Sequence, residues 1–189
     1  MNVYETIMNR RSIRKFRQEP IPKDDLIKLV DCARMAAYPM NLQPLKFTIL
    51  DDPADLGQLF PCTRWAGYLE NGTPKENERP TAYILMLGDT TIKANSDFQV
   101  ETGAAGATIT LAAAEAGVAS CWLGAINREK IRELFGIPEQ LTVLDLIALG
   151  YPAQESKAVP MKGGDFKYYM KETTLQVPKR SLDEVLLQR

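Results

Sequence analysis

Four short clusters carry the side chains of this sequence that could do chemistry. Near the start, Arg10-Arg11-Ser12 is followed by Arg14. A forked guanidinium matches the oxygens of a phosphate or a carboxylate. In an extended segment side chains alternate, so Ser12 and Arg14 share one face and Arg11 takes the other. The second cluster, Tyr38-Pro39-Met40-Asn41-Leu42-Gln43-Pro44, holds two amide side chains between prolines. Prolines stiffen the loop, and each amide offers both donors and acceptors, which suits a flat heterocycle edged with carbonyls and ring nitrogens. In the third, Ser120-Cys121-Trp122-Leu123-Gly124, the glycine permits close approach to the backbone and the indole adds bulk beside it. The fourth, Pro178-Lys179-Arg180-Ser181-Leu182, places a basic pair near the end of the chain. Each has a plainer reading by itself: a solvated basic turn, a helix-to-strand turn, a core strand ending at glycine, a charged tail.

What the chain lacks narrows the chemistry. It has no histidine, which removes Ser-His-Asp and Cys-His nucleophilic catalysis and most catalytic zinc and non-haem iron sites. Any reaction must use carboxylates, Lys, Tyr or Cys, or a cofactor. The three cysteines, Cys32, Cys62 and Cys121, are odd in number and far apart, which argues against a disulfide framework or a zinc site. Neither a Gly-x-Gly-x-x-Gly after a strand, nor a phosphate-loop motif, nor His-Glu-x-x-His occurs. A net charge of −1 gives no reason to expect a nucleic acid or an anionic membrane as partner. No apolar run is long enough to cross a bilayer, and Met1 to Glu5 lacks the basic start and apolar stretch of a secretory signal. The expectation is a cytoplasmic protein of a single domain, residues 1–189.

The elements that must position these clusters follow from periodicity. Residues 2–10 read as a short helix, then Ile13 and Phe16 are the apolar members of the basic stretch. Pro22, Asp24 and Asp25 open a helix whose apolar face is Leu26, Leu29, Val30, Ala33 and Ala37, ending before Pro39. Residues 46–50 read as a strand and 54–60 as a short helix. Residues 61–80 read as a surface excursion with a little helix near Trp65. The apolar run Ala82 to Leu87 reads as a central strand buried on both faces. A helix over 98–116 contains Gly103 and Gly106, each costing about 1 kcal/mol relative to alanine, so something should pack very close to its backbone. A strand at 119–123, a helix at 128–135 capped by Asn127 and stopped by Gly136, and a strand at 144–149 follow. Residues 153–189 read as polar and mostly irregular, with a last turn at 182–187. Helices and strands mix without regular βαβ alternation, which favours an α+β fold with a central sheet flanked by helices. A long irregular tail is uncommon in a compact domain, and the apolar residues Phe166, Tyr168, Tyr169, Leu175 and Val177 favour its wrapping a partner subunit.

Taken in order, Arg-Arg-Ser-Ile-Arg-Lys-Phe, Asn-Leu-Gln-Pro, the Gly/Ala-rich helix, Cys-Trp-Leu-Gly, Leu-Gly-Tyr-Pro and Pro-Lys-Arg-Ser-Leu-Asp-Glu-Val resemble the FMN-dependent nitroreductase family across nearly the whole chain. The resemblance implies a central mixed sheet flanked by helices and a homodimer with an FMN at each of two interface sites. Arg10, Arg11, Ser12 and Arg14 would hold the phosphate, ribityl chain and ring edge, with Lys179 and Arg180 joining at the phosphate. Asn41 and Gln43, in the loop with Pro39 and Met40, would come from the other subunit. Backbone groups at Leu123 and Gly124 would face the reactive ring nitrogen and its neighbouring carbonyl. The small-residue helix would form the dimer centre. The implied activity passes electrons from NAD(P)H through FMN to a small acceptor such as a nitroaromatic or quinone, by ping-pong turnover. Alternatives of the same fold are dehalogenation, flavin fragmentation, heterocycle oxidation or flavin binding without turnover. Pro39-Met40, Leu45 and Glu101 depart from the family's frequent choices, which bears on substrate shape more than on flavin binding.

Overall fold

The computed structural model describes residues 2–94 and 97–187. Its spine is β5 (Leu141–Pro152), which pairs on one side with β3 (Ala82–Asp89) and on the other with β4 (Ala119–Leu123) and β1 (Phe16–Arg17). β2 (Leu45–Leu50) adds to β3 at the far edge. These four pairings are antiparallel, and a parallel bridge joins Ser12 to Ser120. All eight residues of β3 are buried, as the apolar run requires. Tyr83, Leu85 and Leu87 face one core with Phe16, Leu59, Ile131 and Leu146. Ile84 and Met86 face a second core with Leu26, Leu29, Ile109 and Ile147. The alternation of period two therefore feeds both sides of the sheet.

Helices supply the two outer layers. α2 (Lys23–Arg34) and α4 (Gln99–Glu115) cover the second core, joined at its rim by α1 (Val3–Asn9), while α3 (Pro53–Leu59) and α5 (Arg128–Phe135) belong to the first. Local signals set their ends. Asn2 accepts from Glu5 N and Glu5 reaches back, Asp52 caps Ala54, Asn127 caps Lys130, and Gly136 closes α5 at φ 57°. The glycines of α4 part company. A Cβ on Gly106 would sit 2.4 Å from the Trp122 ring, whereas one on Gly103 meets nothing in the protomer within 4 Å. Close packing thus accounts for Gly106 within a single chain.

Two expectations are corrected. The helical turn of the 61–80 excursion falls at Phe60–Cys62, with another at Glu76–Glu78, and not at Trp65; Trp65 is buried and stacks with Phe60. Residues 153–187 are not mostly irregular. They form a second sheet in which β8 (Thr174–Lys179) lies between β6 (Glu155–Pro160), parallel, and β7 (Tyr169–Lys171), antiparallel, before the short α6 (Leu182–Val185). These strands gave no clear apolar alternation because little of them is buried: Leu175 and Gln176 are the buried residues, and β7 is exposed throughout.

Candidate functional site

The basic segment and the glycine-ended strand lie side by side. α1 stops at Arg10, whose ψ of 131° turns the chain extended. The Arg11 guanidinium donates to the carbonyls of Met8 and Arg10, satisfying acceptors that a helix end leaves open. Burial, and then the charge of Arg10, lowers its pKa from the arginine value. Its Nε is buried without a partner. Ile13 N donates to Ser120 O at 3.0 Å, alongside the parallel Ser12–Ser120 bridge. Arg14 N donates to Gln154 Oε1 at 3.2 Å, and its guanidinium carbon lies 4.5 Å from the centroid of Tyr168. Burial pushes the Cys121 thiol up, and Arg14 and Arg10 both act against that shift. The basic segment therefore meets β4 through its backbone, at Ser12, Ile13 and Ser120. A cavity of about 460 Å³ opens beside this contact, lined by Arg10, Arg11, Ser120 and Lys157 among others.

At the end of β4 the backbone is held by one guanidinium. Arg128 donates from Nε to Leu144 O at 2.9 Å, and from Nη2 to Gly124 O at 3.1 Å and to Asp145 Oδ1 at 3.0 Å. The other oxygen of Asp145 accepts from Trp122 Nε1 at 2.7 Å. Gly124 O also accepts from Ile126 N, and Ala125 O accepts from Arg64 N. No described hydrogen bond uses the N–H of Gly124 or of Ala125, and both residues are exposed. Two adjacent backbone donors are thus free at the end of β4, at Gly124 and Ala125, one residue beyond the Leu123–Gly124 pair that the sequence suggested. Arg128 and Asp145 were not singled out from sequence. Arg128 reads there as a surface residue of the first helical turn. Asp145 left a signal, as a lone acid ahead of the apolar run Leu146 to Leu149.

The loop of Pro39, Met40, Asn41 and Gln43 lies elsewhere in the protomer. It leads into β2, and β3 and β5 separate β2 from β4, about 14 Å at ordinary strand spacing. Met40, Asn41 and Gln43 all have left-handed backbones, at φ 53°, 54° and 51°. For residues with a Cβ that conformation costs roughly 1 kcal/mol or more each. All three are exposed, and Gln43 Nε2 donates to Asn41 O at 3.2 Å. Tyr38 anchors the loop by donating its hydroxyl to Ala33 O at 2.7 Å. Burial, and then the charge of Glu101, pushes the pKa of that hydroxyl up.

Lys179 is the last residue of β8. It shares a face of the second sheet with Val177 and Leu175, and Leu175 is wholly buried. Tyr168, which covers Arg14, precedes Tyr169, and Tyr169 pairs with Gln176. Lys179 is three residues further along, about 10 Å of strand. Arg180 turns to Glu184 at 3.6 Å. The structure thus bridges Ser12 to Ser120 of the strand that ends at Leu123 and Gly124, with Arg10 and Arg11 lining the cavity at Ser120 and Arg14 against Tyr168. It sets Lys179 and Arg180 at the end of the neighbouring sheet and leaves Pro39 to Gln43 on the far edge. Among the described residues, no group of carboxylates, cysteines and histidines could hold a metal ion, and no helix is long and apolar enough to cross a membrane.

The fold is an α+β sheet with a basic segment laid along β4, and that strand ends at residues whose backbone donors are unused. The description of the nitroreductase family matches residues 7–151, and the chain belongs to that family. A protein of Archaeoglobus fulgidus named as an NADH dehydrogenase/NAD(P)H nitroreductase is 33% identical over 155 residues, covering 79% of this chain and 84% of that one. A nitroreductase of Desulfovibrio desulfuricans, solved in complex with FMN, superposes with a TM-score of 0.73 at 25% identity, over 100% of this chain and 97% of that one. An FMN-dependent nitroreductase of Clostridium difficile R20291 gives a TM-score of 0.69 at 25% identity, over 88% and 97% of the two chains.

Proposed function

We propose that this chain is an FMN-dependent NAD(P)H oxidoreductase that passes electrons to a small acceptor, a nitroaromatic, quinone or similar compound, in ping-pong turnover. Bound FMN would supply hydride acceptance and donation; the protein supplies the rest. The observation that carries the reading is the course of β4: the basic segment is bridged to it at Ser120, where Arg10 and Arg11 line a cavity, and its far end leaves the N–H groups of Gly124 and Ala125 unused. A phosphate-bearing heterocycle needs both cations and a few oriented donors. The donor set fits the group: the buried, unpartnered Nε of Arg11 and the free backbone amides are the kind of polar atoms a ligand would satisfy.

In this reading Arg10, Arg11 and Ser12 hold the phosphate and ribityl chain. Arg14 holds the ring edge, where a positive charge favours electron uptake. Lys179 and Arg180 add charge at the phosphate. The backbone at Leu123 and Gly124 faces the ring. Pro39, Met40, Asn41 and Gln43 approach from the partner subunit of a homodimer, and their strained, exposed backbones are consistent with a loop shaped for that contact. Gly103, open in the protomer, offers α4 a place at the subunit interface. Hydride transfer requires no side-chain acid or base, in keeping with a chain without histidine. The protein is then one flavin-binding domain over residues 1–189, acting in the cytoplasm. Anaerobic mixing of the FMN-loaded protein with NADH and with NADPH tests the reading. Bleaching of the flavin band by at least one donor, and its return on adding a nitroaromatic, are the expected results. A flavin that stays oxidised with both donors refutes it.

A further inference from the structure

We infer that Arg128 and Asp145 are positioning residues that aim the backbone N–H of Ala125, on the peptide that follows Gly124, at the ligand; the inference rests on the flavin reading above. The argument begins with a trans peptide, in which C=O and N–H point in opposite directions. The carbonyl of Gly124 is drawn to one side by Arg128 Nη2 at 3.1 Å and Ile126 N at 3.1 Å. The N–H of Ala125, on the same peptide plane, must then point to the other side, away from α5. The next carbonyl, of Ala125, is held by Arg64 N at 3.0 Å. Both peptides after Gly124 are therefore fixed through their acceptors, and the Ala125 N–H, on the first of them, stays free. A glycine without such ties would let this segment rotate, because it has no Cβ to restrict it.

Arg128 can do this because it is itself held. Its Nε is bound by Leu144 O, and its Nη2 is shared between Gly124 O and Asp145 Oδ1. Asp145 is in turn oriented by the indole N–H of Trp122 at 2.7 Å, and the Trp122 ring is seated against Gly106 of α4. A rigid helix, a ring, a carboxylate and a guanidinium thus form one chain of contacts ending on the Gly124 carbonyl. The planar fork matters, because a lysine ammonium lacks the fixed geometry to serve a strand carbonyl, a loop carbonyl and a carboxylate together. The side chain of Arg128 is 46% exposed, so its removal threatens the fold less than loss of a core residue does.

The test uses Arg128→Ala, Arg128→Lys and Asp145→Asn, with Lys130→Ala, an exposed residue of the same helix, as control. Three quantities are read for each: affinity for FMN by fluorescence titration, the fine structure of the bound flavin's absorption band, and the potential of the bound flavin. For Arg128→Ala the expected result is affinity about tenfold weaker, the size of one or two lost oriented hydrogen bonds. The absorption band should lose structure, and the potential should move toward that of free FMN. Arg128→Lys and Asp145→Asn should fall between Arg128→Ala and wild type, and Lys130→Ala should match wild type. In the ligand-free protein, the amide nitrogen resonances of Gly124 and Ala125 should shift in Arg128→Ala. If wild type binds FMN and Arg128→Ala matches it in affinity, spectrum and potential, the positioning role is overturned and the flavin reading stands. If wild type does not bind FMN, the flavin reading falls first.

Discussion

Gly106→Ala in α4 should destabilise the protein even though alanine is the better helix former. The helical gain is about 1 kcal/mol. Against it, the new Cβ would lie 2.4, 2.5 and 2.8 Å from three atoms of the Trp122 six-membered ring. Ordinary carbon contacts need about 3.5 Å or more, so the ring must retreat by roughly 1 Å. Overpacking of this kind costs about 1–3 kcal/mol. The displacement also strains the 2.7 Å bond from Trp122 Nε1 to Asp145, a charge-assisted hydrogen bond of about 1.5–3 kcal/mol. The net expectation is a loss of about 2–4 kcal/mol, or roughly 4–15 °C in Tm for a chain of this length. The assay is urea denaturation of wild type, Gly106→Ala, Trp122→Leu and the double variant. With the indole gone, Gly106→Ala should become neutral or stabilising by up to about 1 kcal/mol, a coupling of several kcal/mol. An alanine that stabilises the wild type, or costs the same in both backgrounds, refutes the packing argument.

Further consequences can be checked in the same preparations. Burial pushes the Glu78 carboxyl up, but the Lys15 ammonium at 3.0 Å and the Lys75 N–H outweigh it and leave the pKa below 4.5. A lowered carboxylate contributes stability that is complete above its unfolded value and lost as pH falls through the folded one. Glu78→Gln should thus cost about 0.5–1 kcal/mol near neutrality, the size of a partly exposed pair, and almost nothing near pH 3; an equal cost at both refutes it. Cys62 and Cys121 are buried, and burial raises both thiols, so a thiol reagent should modify Cys32 first and the other two only in denaturant, as peptide mapping will show. Gly136→Ala, at φ 57°, should cost about 1 kcal/mol through the left-handed cap of α5, measurable as a lower denaturation midpoint.

How much was legible in the sequence depended on how each signal was encoded. β3 could be read because eight consecutive residues are buried between two cores, and α5 because Asn127 and Gly136 mark both its ends. The second sheet could not, since β7 is exposed throughout and β6 and β8 contain Pro160 and Pro178, residues that argue against a strand. Of the site, Arg10, Ser12 and Arg14 were visible as a basic run, and Gly124 as a strand-ending glycine. The Arg128–Asp145–Trp122 network was not, because its members stand apart in the sequence and meet only when β4 pairs with β5. Arg11 has a second role that its type did not announce. Its type suggested a phosphate ligand, while the structure also gives it the carbonyls at the end of α1, a role fixed by where the helix stops.

The central claim is that Arg10, with Arg11 and Ser12, holds a phosphate carried by a flat heterocycle whose ring edge meets Arg14. It is tested most directly by titrating the ligand-free protein with FMN and with riboflavin, which has the same ring and no phosphate, in wild type, Arg10→Ala and Arg14→Ala. Wild type should bind FMN at least about a hundredfold more tightly than riboflavin, since two charge-assisted contacts are worth about 3 kcal/mol or more, and the preference should shrink about tenfold or more in Arg10→Ala. Equal affinity of the wild type for FMN and riboflavin, or a preference untouched in Arg10→Ala, would contradict the account.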